Sequence, residues 1–205
     1  MRDMAGRVCG AGLVIGMLVT GVGACTGDPD GTGRTTACTT GAYAWSGVQR
    51  TQKLTAMSDP IMFEKPTGSY SARLKPVGDR VYRPSVTGAP RGIGAAGVIK
   101  ALGKHLKVEE PLADPSETER PAQDHFFEYS AGAQEGAYYA YAAIDLVEAD
   151  FTYTCGDGDP AKGHVRTWEA TGAGFLSCSM PSDEAAGHRA AQQTCPAGSK
   201  AAKDT

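Results

Sequence analysis

Six cysteines, Cys9, Cys25, Cys38, Cys155, Cys178 and Cys195, constrain this chain more than any other feature. None sits in a C-x-x-C pair or in a Cys/His cluster at zinc spacing, so the pattern does not indicate a metal site. Cys9 lies inside an apolar N-terminal run and Cys25 closes it, which leaves four for the rest of the chain. Four cysteines in an oxidising compartment imply two disulfides, with three possible connectivities. The preferred pairs are Cys178–Cys195, closing a C-terminal helix onto the strand before it, and Cys38–Cys155, joining the start of the domain to a late strand. Loops of this order contribute about 3–5 kcal/mol each in the chain-entropy account.

The N-terminus explains why the compartment should be oxidising. Arg2 and Arg7 form a short basic region, diluted by Asp3, and residues 8–22 are apolar or small except Thr20. That is the layout of a secretory signal, and residues 1–24 are expected to be one. The run ends in Val22-Gly23-Ala24-Cys25, which resembles the lipobox of bacterial prolipoproteins: an aliphatic residue, two small residues, then cysteine. The resemblance implies diacylglyceryl transfer to the Cys25 sulfur and cleavage just before it. It implies a protein on the outer face of the cytoplasmic membrane, held by a lipid. The general look of the chain, Gly/Ala-rich with short β elements and a late cysteine-stapled helix, is similar to lipoproteins of high-GC Gram-positive bacteria. Two acyl chains make a stable anchor where one is marginal, at about 0.8 kcal/mol per buried CH₂. The alternatives are a plain signal peptide, which gives a secreted chain, and an uncleaved helical anchor, which the glycines of this run disfavour. Residues 25–37 are polar and rich in Gly and Thr, a flexible tether able to span roughly 20 Å.

With Gly 27 and Pro 12 among 205 residues, regular elements should be short and often interrupted. Residues 42–48, 52–57, 61–65, 69–75 and 80–83 read as strands, and Pro66-Thr67-Gly68 has the form of a hairpin turn. Between 91 and 107 the period changes: Ala95, Val98, Ile99, Leu102 and Leu106 fall on one helical face. Pro111 and Pro115 end that pattern in an acidic segment expected to be an exposed, mobile loop. Strand character returns at 125–130 and through 137–155, a run long enough to require a split near Ala143 or a bulge. Within it Val147, Ala149, Phe151, Tyr153 and Cys155 share one face, and Glu148, Asp150, Thr152 and Thr154 the other, solvated one. Residues 164–178 return as strand, kinked at Gly172 and Gly174, and Ser182 should cap a helix reaching about Gln193. The expected fold is a single α+β domain over 38–195: an antiparallel sheet or meander with one central and one C-terminal helix and two disulfides. Residues 196–205 are expected to be a disordered tail.

Motif-level chemistry is sparse. Lys+Arg 20 against Asp+Glu 23 argues against a nucleic-acid binder. Gly92, Gly94 and Gly97 spell G-x-G-x-x-G before a helix, but no buried parallel strand precedes it, so no dinucleotide cofactor is expected. His105, His125, His164 and His188 are dispersed and belong to no recognised triad; Asp124, His125 and Glu128 are close in sequence only. Asp157 and Asp159 are what a turn requires before they are a cation site. Lys100, Lys104 and Lys107, with Arg91, form a basic helix face that could rest on anionic headgroups. Tyr138, Tyr139 and Tyr141, with Tyr70, Tyr82 and Trp45, are the one cluster that leans towards ligand recognition.

The expectation is therefore a membrane-anchored lipoprotein without cofactor or catalytic site. It would act by binding an envelope protein or a small-molecule ligand, or in a cell-envelope structural role. The rival is an extracellular hydrolase built from dispersed residues. A transporter's solute-binding lipoprotein would need a longer chain for two lobes.

Overall fold

The computed structural model describes residues 38, 40–120 and 125–203, with the backbone alone for residues 72 and 125–132. The signal segment, Cys9, Cys25 and the tether of 25–37 lie outside the described residues.

The domain is mostly antiparallel sheet with two helices. Strand β4 (His125–Thr154) is its axis. From Tyr141 onward β4 lies between β1 (Ala42–Met57) on one side and β5 (Ala161–Ser177) on the other, both antiparallel. The short β3 (Ser85–Thr87) extends the sheet beyond β5. The first half of β4 pairs with β2 (Ile61–Pro76). Because β1 and β2 both pair with β4 while β3 sits at the far edge, the order departs from the simple meander expected.

The long run that sequence reasoning split near Ala143 is continuous there. The extra residues lie in its partners: β1 gains one between Ser46 and Gln49 and another between Leu54 and Ala56. Strand β5 gains one between Trp168 and Thr171. Gly47, at φ 58, supplies the left-handed conformation that the first bulge requires. It also joins the two short strands expected at 42–48 and 52–57 into one. The bend falls instead where β2 pairs with the first half of β4. Lys75 pairs with Met57, only four residues before Ile61, yet fourteen extended residues would span roughly 45 Å. Strand β2 must therefore double back, and β4, paired with it from Tyr138 to His125, turns with it; the extra residues lie between Phe63 and Thr67 in β2 and between Ser130 and Gln134 in β4. The segments 61–65 and 69–75 thus belong to one strand and not to a hairpin closed at Pro66-Thr67-Gly68, as the sequence suggested.

Strand β4 is regular from Tyr138 to Tyr153, so its residues divide cleanly by parity. Odd positions face the helices. Val147, Ala149, Phe151 and Tyr153 pack with α1 (Gly94–Leu106) through Val98, Ile99 and Leu102. Tyr139, Tyr141 and Ala143 pack with α2 (Ala185–Thr194) through Ala186, Ala190 and Ala191, whose small side chains let the helix approach closely. Even positions face the other way. Ala140, with the partly buried Tyr138 and Ala142, lies under the folded β2, against Ile61, Phe63 and Leu74. Ile144 and Leu146 pack with Ala113, Trp168 and Tyr82. Glu148, Asp150 and Thr152 complete that face with no apolar cover, as the alternation anticipates.

Helix α1 begins at Gly94 and ends on Lys107, which takes a left-handed conformation (φ 56) and donates its N–H back to the Gly103 and Lys104 carbonyls. Helix α2 does not start at Ser182. Glu184 is its N-cap, and the Ala186 N–H is satisfied from another strand by Gln52 Oε1 at 2.8 Å. Gln52 Nε2 and the Tyr141 hydroxyl both donate to Glu184 Oε2, at 3.2 and 2.8 Å.

The cysteines pair as Cys38–Cys155 and Cys178–Cys195, with Cα separations of 6.1 and 5.6 Å, ordinary for disulfides. Two such pairs indicate an oxidising, extracellular compartment. Among the described residues no helix is long and apolar enough to cross a membrane.

Three expectations are corrected. The acidic segment after α1 is not wholly exposed: Leu112 and Ala113 are buried. Ala113 runs along the edge of β5, its N–H on the Trp168 carbonyl at 3.0 Å and its carbonyl accepting from Thr167 Oγ1 at 2.6 Å. Residues 80–83 form no strand, only a single bridge from Tyr82 to Glu119. Residues 196–203 are not a loose tail, since Ala201 is fully buried and its N–H donates to the Cys178 carbonyl at 3.2 Å. The disulfide beside it holds both segments in reach of each other.

Candidate functional site

The even face of β4 around Leu146 and Glu148 is the floor of a groove. Antiparallel partners present their side chains on the same face, so the register builds two rows across the sheet. Gln49, Glu148, Arg166 and Ser85 form one row, across β1, β4, β5 and β3. Thr51, Leu146 and Trp168 form the next, and Lys53 stands one step further along β1. The segment of residues 80–83 lies over these rows, held by the Tyr82–Glu119 bridge and by packing of Tyr82 against the Leu146–Trp168 cluster. Together they enclose a cavity of about 540 Å³, within the size range of small-molecule sites.

The groove is basic. Among the described residues Lys53, Arg80, Arg83 and Arg166 line it, against the single acid Glu148. Arg166 donates from Nε to Glu148 Oε1, so that pair is internally neutralised. Lys53, Arg80 and Arg83 have no ion-pair partner among the described residues. Leu146 and Trp168, both buried, make the floor apolar, and Tyr82 extends it.

The tyrosines singled out from the sequence do not form one surface. Tyr139 and Tyr141 are buried under α2, at 0% and 3% exposure. Burial is the main cause that lifts both hydroxyls above their ordinary pKa, and for Tyr141 the Glu184 carboxylate adds to it. Tyr138 points the other way, stacked on Phe175 at 5.1 Å and edge-on to Phe63 at 5.4 Å. Consecutive strand residues cannot share a face, which is why this candidate site dissolves. Trp45 stacks on Tyr43 over α1's side, and Tyr70 packs with Phe63. Of the six aromatics proposed together, only Tyr82 lines the groove.

His164 is placed beside Asp150, with Nδ1 2.9 Å from Oδ1, on the same solvated face. The Thr87 hydroxyl bonds the His164 backbone, not its ring. His105 stacks on Trp45, and His188 Nε2 meets the Lys203 carbonyl oxygen at 3.0 Å. Asp124 lies outside the described residues, as do the side chains of His125 and Glu128. Among the described residues no group of three His, Cys, Asp or Glu side chains converges on a metal position. Gly92 and Gly94 take positive φ at the entrance to α1, in a sheet whose pairings are all antiparallel, so no βαβ unit surrounds them.

Lys100, Lys104 and Lys107 are exposed as expected and rim a shallower hollow of about 450 Å³. Its other rim carries Glu109, Glu110 and Asp114, so the charges balance. Asp114 is drawn into its own loop: hydrogen bonds from Ser116 hold its carboxyl below the usual carboxylate range.

Sequence reasoning missed the groove because its cations come from three separated segments. The one local signal was Arg80-Val81-Tyr82-Arg83, an aromatic between two arginines. Comparison of the chain with protein-family models, with curated proteins and with solved structures finds no match.

Proposed function

We propose that this chain is an exported, membrane-anchored lipoprotein whose folded domain binds a ligand without catalysing a reaction. The lipobox-like Val22-Gly23-Ala24-Cys25 supports the anchor, and the oxidising compartment implied by the disulfides fits export. The observation that carries the binding role is the groove over β1, β4 and β5. Its cavity of about 540 Å³ presents, above an apolar floor, three cations without ion-pair partners among the described residues. On this reading Cys25 holds the lipid and the groove receives a small molecule or a segment of an envelope protein.

Two measurements test it. The intact mass of the native protein from the membrane fraction, with and without reductant, should correspond to a chain starting at Cys25, heavier by a diacylglyceryl group and carrying two disulfides. An unmodified chain in the medium sinks the anchor. For the binding role, a chemically diverse ligand panel is titrated by calorimetry against the wild type and against Trp168→Ala, with melting curves as a folding check. Ligands should bind the wild type and lose affinity in the variant; a panel without a single binder removes the role.

A further inference from the structure

We infer that the groove selects an organic anion that carries a ring, a sugar carboxylate or a sugar phosphate being the simplest form. The inference rests on the binding role proposed above and adds the chemical class of the ligand.

Charge comes first. Three like charges that share a cavity repel one another, and folded proteins ordinarily place a carboxylate among them. Among the described residues the only lining carboxylate, Glu148, is already bonded to a fourth cation, Arg166. A low-dielectric wall focuses the field of Lys53, Arg80 and Arg83 into the cavity, which raises the local concentration of anions.

Geometry comes second. Arg80 and Arg83 are both exposed and are separated by the partly buried Tyr82. Tyr82 is pinned by two backbone hydrogen bonds with Glu119, its N–H donating at 2.8 Å and its carbonyl accepting at 3.0 Å. Pinning Tyr82 fixes the backbone that carries both arginines, and both line the cavity. A planar guanidinium matches carboxylate and phosphate oxygens two at a time, which a lysine ammonium does not.

The third element is the floor. An inorganic ion would be served by the rim alone, but the cavity continues down to Leu146 and Trp168. Burying a ring's C–H face there removes apolar surface from water. Gln49, Thr51 and Ser85 stand in the same rows and can bond hydroxyl groups.

The test is calorimetric titration of the full chain, purified in detergent from the membrane fraction, with four probes. Glucose 6-phosphate and glucuronate carry ring and charge, inorganic phosphate charge alone, and glucose the ring alone. Both ring anions, or one of them, should bind about tenfold or more tighter than either single-feature probe. Which one binds tells phosphate from carboxylate. Arg80→Ala/Arg83→Ala should weaken that binding about tenfold, while Lys100→Ala/Lys104→Ala, which removes the same charge elsewhere, leaves it within about twofold. Melting temperature and far-ultraviolet dichroism confirm that both variants fold. Absence of saturable binding by either ring anion, or equal loss in the two variants, overturns the inference. A glucose isotherm as tight as those of the ring anions overturns the anionic class and leaves the binding role standing.

Discussion

The Tyr141 hydroxyl donates to Glu184 Oε2 at 2.8 Å, tying the centre of β4 to the residue that opens α2. The ring itself is boxed in by two glycines. A Cβ on Gly174 would come within 2.6 Å of Tyr141 Cζ, and one on Gly187 within 3.1 Å of the same atom. Tyr141 therefore sets both where the helix begins and how closely β5 and α2 may approach.

Tyr141→Phe should cost about 1.5–3 kcal/mol at neutral pH, the usual loss for a hydrogen bond to a charged group. It should also change the alkaline limb. The folded Tyr141 holds its proton above the ordinary value near 10, through burial first and Glu184 second. Below pH 10 both folded and unfolded states are protonated, and the contribution is fully present. As pH rises past 10 the unfolded chain ionises first, so stability falls. Urea unfolding at pH 7 and above pH 10 should show a shallower fall in the variant than in the wild type.

The two glycines read from the sequence as a strand kink should behave differently. Gly174→Ala forces a methyl into the Tyr141 ring and should cost about 1–3 kcal/mol, as overpacking does. Gly172→Ala meets nothing within 4 Å and should be neutral or stabilising by up to about 1 kcal/mol. Their urea midpoints should move in opposite directions or differ clearly; equal losses would contradict the packing around Tyr141.

Removing Cys178–Cys195 by double serine substitution should cost about 3 kcal/mol, since 17 residues separate the pair. Loss of Cys38–Cys155, separated by 117, should cost nearer 5 kcal/mol in the same account. Peptide mapping under non-reducing conditions should recover these two pairs, and a Cys38–Cys195 peptide would refute the topology.

On the two faces of β4, Phe151→Ala should cost about 3–5 kcal/mol, because the ring is buried against α1 and Tyr43. His164→Ala, on the opposite face and half exposed beside Asp150, should change stability by no more than about 1 kcal/mol. Thermal melts of the two variants check the assignment of faces.

Several local features were legible because they depend only on period. The alternation from Val147 to Tyr153 marks a buried and a solvated face whatever covers them. Val98, Ile99 and Leu102 mark the inner side of α1 in the same way. Both cysteine pairings also followed from the chain. The cap of α2 did not, because Ser182 has the right chemistry at the right place, yet Gln52 reaches Ala186 from a distant strand. The tail was misjudged for a similar reason: nothing in its composition shows that Ala201 will lie against Cys178.

By itself, then, the sequence determined which side of each element is apolar, where the chain turns, and the N-terminal run that points to export. Those properties rest on residue type and on spacings of two or 3.6, and need no knowledge of neighbours. Only the tertiary structure decided which elements meet. It carried β4 unbroken past Ala143 by putting the bulges in β1 and β5, and it separated Tyr138 from Tyr139 and Tyr141. It also laid Arg80 and Arg83 over Glu148 and Arg166, residues more than sixty positions away. Such pairings are set by the summed packing of the whole sheet, and no short stretch of sequence records that sum.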